Sequence, residues 1–132
     1  IGLYLTCLIE LKEYEEFESF VASLDDETRK NIEVESVIKR QEIIKKNISG
    51  PNVEKLHEKL KKNPNDIGVV IEISNKLFSD NEYDEAFKIL LDYYPNNKEK
   101  VKKKILEFFE ALGSSHEATS RYRKKFSQIM FS

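Results

Sequence analysis

The sequence predicts an all-α fold of antiparallel helical hairpins stacked side by side, about seven helices in all, and three observations predict it. Four Gly and three Pro are too few to punctuate a β-rich chain of 132 residues. Long stretches rich in Glu, Lys and Leu favour helix. Between them, apolar residues recur at spacings of three and four, the signature of a helix with one buried face. The intervening breaks span two to six residues, short enough to force neighbouring helices antiparallel.

Each element follows in turn. Apolar residues dominate Leu3 to Leu11, and after Lys12 and Glu13 a second helix carries Tyr14, Phe17, Phe20 and Leu24. Asp25 and Asp26 end or cap an element at this point. A longer polar helix is predicted over Glu27–Asn47, with Val34, Val37, Ile38, Ile44 and Ile48 as its stripe. The stretch NISGPN, residues 47–52, breaks it, because Gly and Pro adjoin. A short helix with Val53, Leu56 and Leu60 inward stops at Asn63, since Pro64 disfavours helical geometry in the residue before it. Asp66 is a natural N-cap for the helix that carries Val70, Ile71, Ser74, Leu77 and Phe78. SDNE, residues 79–82, turns the chain into a partner helix with Tyr83, Ala86, Phe87 and Leu90, closed by Pro95. Asn97 is placed to cap a helix with Val101, Ile105, Phe108, Phe109 and Leu112 on one side. Gly113 follows where a positive φ is wanted. Ser114 with Glu117 resembles a capping box for the last helix, whose stripe is Ala118, Tyr122, Phe126, Ile129 and Met130.

Length and composition bound the rest. The chain suits one domain, residues 1–132, with hairpins at roughly 1–24, 34–62, 66–94 and 98–131. It has no initiating Met, and its first residues read as mid-helix, so a fragment of a longer protein is expected. A lone Cys7 cannot form an internal disulfide, and on an apolar helix it is expected to be buried. No apolar run approaches the roughly 18 residues of a membrane span and no signal peptide is visible, which makes the cytoplasm the default. Charge is uneven. Residues 1–35 hold ten acids and three bases, a net of −7, and residues 98–132 hold nine bases and four acids, a net of +5. This asymmetry reads either as two solvated faces or as a basic end that meets an acidic partner.

The segment LIELKEYEEF, residues 8–17, aligns with LFSDNEYDEA, residues 77–86, at an offset of 69. Half of that offset matches the period of about 34 residues of the tetratricopeptide repeat, a helix–turn–helix unit. The resemblance implies a right-handed α-solenoid. In such a unit a small or polar residue makes the turn (Asn81), a Tyr plugs the hairpin (Tyr83), and small residues such as Ser74 and Ala86 let its helices approach. One hairpin cannot bury its apolar face alone, so the units stack. The middle copy is expected at about 34–47 and 52–62. Phe17 and Leu5 stand where the first unit should have small residues, so its helices are expected to pack wider or at a different angle. A generic antiparallel bundle is the competing fold.

Catalytic chemistry is not legible. His57 and His116 have no metal-spaced companions and are expected on the surface. No cysteine pair, phosphate loop or catalytic constellation is present, and neither metal nor cofactor is expected. The lysine run Lys98–Lys104 and the stretch RYRKKF, residues 121–126, read first as solvated faces. An acidic net charge argues against nucleic acid. The repeat predicts instead a concave groove for polypeptide, lined by Ile71, Asn75, Phe78, Ser79 and Glu82. The alternative is that the C-terminal helices fold back over it.

The stretches LKKNPNDIGVVIEISNKLFSDNEYDEAFKILL and KKKILEFFEALGSSHEATSRYRKKFSQIMF resemble the C-terminal region of the bacterial chaperedoxin family, thioredoxin-like proteins with a tail of tetratricopeptide-type helices. The thioredoxin domain is absent from this chain. The resemblance implies a non-enzymatic holdase or co-chaperone module that binds unfolded clients and docks its last helix on a chaperonin. The matching residues are Tyr122, Phe126, Ile129, Met130 and Phe131. The other readings are an adaptor of another bacterial assembly and a regulatory domain of a larger enzyme.

Overall fold

The computed structural model describes residues 1–47 and 51–131. Its elements are α1 (Gly2–Glu10), α2 (Tyr14–Ser23), α3 (Asp26–Arg29), α4 (Ile32–Asn47), α5 (Val53–Lys62), α6 (Ile67–Ser79), α7 (Tyr83–Tyr93), a 3-10 turn at Tyr94–Asn96, α8 (Lys98–Leu112) and α9 (Glu117–Met130). The described residues thus form nine α-helices and no strand, where the sequence predicts about seven helices. The expected helix over Glu27–Asn47 is in fact two. The Asp25 carboxylate accepts from Thr28 N at 2.7 Å to start α3, and the Asn31 amide oxygen accepts from Glu33 N at 2.9 Å to start α4. Each cap satisfies backbone donors that a continuous helix would have bonded internally. Ile48 and the break at Ser49 and Gly50 lie outside the described residues.

The turn picked out by the 69-residue offset is built twice. Lys12 (φ 59) and Asn81 (φ 65) are the two non-Gly residues of positive φ among those described. Around them the same bonds recur. Lys12 N donates to Ile9 O and Glu13 N to Leu8 O. Asn81 N donates to Phe78 O and Glu82 N to Leu77 O. These are the paired closures of a Schellman motif. The chain then re-enters helix at Tyr14 and at Tyr83. The repeat is therefore real at the backbone.

Other ends differ from expectation. Asp66 does cap α6, accepting from Val69 N at 3.3 Å. Asn97 does not cap α8 through its side chain; its Nδ2 donates back to Tyr93 O at 3.2 Å. The cap of α9 is His116 in place of Ser114, because its Nδ1 accepts from Ala118 N at 3.0 Å. Gly113 has φ 87 and ψ 156, and a Cβ there would stand 3.3 Å from Ser36 Oγ, so both backbone and space call for glycine.

Helix α1 packs on α2 and α4, α4 on α6 and α8, α6 on α5 and α7, and α9 on α7 and α8. The hairpin expected from residues 34–62 is not the main pairing there. Helix α5 lies on α6, while α4 serves as a spine between the two ends. Its faces divide the core. Val34, Val37 and Ile44 join Leu5, Leu8, Ile9 and Phe17 in an N-terminal cluster. Ile43, one residue before Ile44, joins the C-terminal cluster of Phe78, Phe87, Phe108, Tyr122 and their neighbours. Ser36 Oγ donates to Glu110 O at 2.7 Å, and Lys39 pairs with Glu110 at 2.7 Å, tying α4 to the end of α8.

Candidate functional site

The residues expected to line a groove on α6 do not share one open face. Phe78 is fully buried, which corrects its assignment to a concave surface. Its ring stacks on Phe108 at 4.4 Å and tilts onto Tyr83 at 5.0 Å, so α8 covers the place where a partner was expected. Ile71 is half-buried against the same cluster. Ser79 is half-buried, its hydroxyl donating to Asn75 O at 2.9 Å, and the half-buried Asn75 keeps its own Oδ1 inside without a partner. Only Glu82 is exposed. Ser74 and Ala86, the small residues of the unit, are fully buried, as close helix approach requires.

The last helix divides in the same way. Tyr122 and Phe126 are buried: Tyr122 stacks on Phe87 at 4.8 Å, and Phe126 meets Tyr94 edge-on at 5.2 Å. They hold α9 onto α7 and are not available to a partner without undocking the helix. Met130 is half-buried against the cluster, while Ile129 and Phe131 are exposed at the tip.

Phe17 aligns with Ala86, yet carries a ring. Beside it a groove of about 430 Å³ opens between α2 and α4. Phe17, Val21, Ala22 and Ile38 give it an apolar floor and walls, and Glu18, Arg29, Glu42 and Lys45 stand at the rim with both signs of charge. Lys45 reaches Glu18 at 3.0 Å across it. Arg29 donates from Nε and Nη2 to Val21 O, satisfying a terminal carbonyl of α2. Gln41 also lines the groove, and its Oε1 is buried without a hydrogen-bond partner. Sequence reasoning missed this site. The signal was the large residue at the small-residue position, which was read as a packing anomaly and not as an opening.

A polar junction lies where α4, α7 and α9 converge. Arg40 is buried, with its Nε unpartnered and its guanidinium 5.9 Å from the Tyr83 ring centre. Tyr83 and His116 meet edge to face at 5.4 Å. Burial raises the Tyr83 pKa, with Arg40 opposing. Burial, then the charge of Arg40, lowers that of His116. A His116 held neutral suits its work as a cap, with an unprotonated Nδ1. The expectation of a surface position holds for His57, which is exposed, whereas His116 is half-buried. Cys7 is exposed, not buried as expected, because Leu5, Leu8 and Ile9 take the inward face of α1.

Among the described residues no group of three His, Cys, Asp or Glu side chains could hold a metal ion, and no helix is long and apolar enough to cross a membrane. No curated protein matches the chain. A family model described as tetratricopeptide repeat matches residues 46–131, from the end of α4 through α9. The stacked hairpins, the twice-built turn and this match agree that the chain belongs to the tetratricopeptide repeat family.

Proposed function

We propose that the chain is a non-catalytic, cytoplasmic module acting as one domain over residues 1–132. In this reading it holds apolar segments of unfolded polypeptide in the α2–α4 groove, and the tip of α9, through Ile129, Met130 and Phe131, docks on a chaperonin or another chaperone. The observation that carries the reading is the groove: an open apolar trough of about 430 Å³, rimmed by charges of both signs. Family membership supports protein partners, since stacked helical repeats work by presenting extended surfaces. The resemblance to the chaperedoxin tail supports chaperone partners in particular. Buried Phe78, Tyr122 and Phe126 belong to the scaffold in this proposal, and the half-buried Ile71, Asn75 and Ser79 with exposed Glu82 border it.

The test is suppression of aggregation of a chemically denatured client, read by light scattering. The wild-type chain should delay scattering. Ala22→Glu, which puts a charge into the trough from an exposed position, should abolish the delay while leaving helicity unchanged. No delay with the wild type refutes the holdase reading, and an undiminished delay with Ala22→Glu refutes the groove. For docking, Ile129→Ser with Phe131→Ser should reduce capture of chaperonin, and equal capture refutes the tip assignment.

A further inference from the structure

The uneven charge found in the sequence takes a definite form in three dimensions. All ten acids of residues 1–35 are exposed. The same stretch leaves apolar side chains of α1 and the start of α4 in solvent: Leu3 at 78% exposure, Leu11 at 71% and Ile32 at 81%. Leu3, Cys7 and Leu11 follow one another at spacings of four, so they form a stripe along the face of α1 turned away from α4. Among the described residues, Glu27 and Glu33 have no basic partner, while the Glu10 carboxylate acts on His116. At the other end of the series of helices, α9 shows the opposite character. Arg123, Lys124 and Lys125 are exposed and have no acidic partner among the described residues, and Phe131 is 84% exposed beside them.

We propose that these ends are complementary to each other, so that the α1 face of one copy seats on the α9 face of a second copy. Several features point to a second copy as the occupant. The chain itself carries a basic surface with an exposed aromatic tip, which fits an acidic surface with an exposed aliphatic stripe. Pairing α1 with α1 would instead bring acid against acid, and pairing α9 with α9 would bring base against base. The contact is therefore heterologous, head to tail. A contact of that kind leaves one free end of each type after every addition, so it grows into a ring or an open chain, not a closed two-fold dimer. Much of the attraction is between exposed charges, so salt weakens it.

The experiment uses two variants whose substitutions all lie at exposed positions. Leu3→Lys with Leu11→Lys spoils the acidic, apolar end. Lys124→Glu with Phe131→Glu spoils the basic end. By sedimentation or light scattering at low salt, the wild-type mass should rise with concentration beyond the 15.5 kDa of one chain. It should fall back at high salt. Each variant alone should stay monomeric, while an equimolar mixture should form a one-to-one dimer, because each member retains the half that the other lacks. A wild-type chain that stays monomeric at every concentration and salt overturns the proposal. So does self-association of either variant alone, which would reveal like-with-like pairing, or a mixture that stays monomeric. The aggregation assay does not depend on this contact, so the groove reading and this one stand or fall separately. Phe131 belongs to the proposed docking tip as well, and Lys124→Glu alone, which leaves that tip intact, should still weaken self-association.

Discussion

Changing Lys12 to Gly should stabilise the protein, although the same change elsewhere on its helices should do harm. Lys12 occupies the left-handed region at φ 59, where a side chain crowds the following carbonyl. That conformation costs an L-residue about 1–2 kcal/mol, and Gly escapes it. Lys12 is exposed and forms no ion pair among the described residues, so removing its side chain loses nothing else. Gly carries more freedom in the unfolded chain, which offsets part of the gain and leaves about 1 kcal/mol. For a domain of this size that corresponds to a rise in Tm of about 4 °C. Lys88 is the matched control. It is exposed in mid-α7, and its ion pair among the described residues is with Glu85 at 3.5 Å. Lys88→Gly should cost about 1 kcal/mol through lost helix propensity. Urea titration followed by far-UV circular dichroism measures both. If Lys12→Gly is neutral or destabilising, the positive φ and the paired-turn argument are wrong together.

The scaffold makes two further demands. Phe108→Ala removes a ring stacked on Phe78 and set edge-on to Phe87 at 5.9 Å, so it should cost about 3–5 kcal/mol and bring the whole C-terminal cluster close to unfolding, measurable in the same titration. His116 makes stability depend on pH. Its folded pKa lies below the ordinary 6.5 because burial and then Arg40 disfavour the cation, so the unfolded chain takes up the proton first. That contribution is complete above 6.5 and is lost as pH falls from there through the folded value. Tm should therefore drop across this window, and His116→Ser, which can still cap α9, should flatten that part of the curve.

Most of the helices were legible because their apolar stripes and caps are local. Asp25, Asp66 and Gly113 act where the sequence places them, and the offset of 69 located both turns before any coordinate did. What was not legible depends on contacts between distant segments. Nothing near Phe78 tells that Phe108, thirty residues on, stacks on it, so an apolar residue of α6 looked free when α8 had claimed it. The same holds for Tyr122 and Phe126, whose helix was read as a docking surface but whose rings are spent on Phe87 and Tyr94. His116 defeated the capping rule because the imidazole nitrogen serves where a Ser hydroxyl was expected. The division of Glu27–Asn47 is not legible in the apolar stripe, because Asn31, which caps α4, falls inside the continuous helix that the stripe predicts.

The placement of the groove follows from how unevenly the aromatic side chains are spent. Of the eight Phe and six Tyr, ten fall beyond residue 77, and most of these, though not the exposed Phe131, pack ring against ring between α6, α7, α8 and α9. The N-terminal end has four, and Leu, Ile and Val supply most of its core. The Phe17 ring lines the groove there, with only Val21, Ala22 and Ile38 as its apolar neighbours on the lining. The two walls are not equal. Helix α4 buries residues on both clusters and is fastened to α8 through Ser36 and Lys39, while α2 buries only Phe17 completely. In the proposed function a segment in the groove would meet α4, the more deeply buried wall, on one side, and on the other α2, which is tied to α4 across the groove by Lys45 and Glu18.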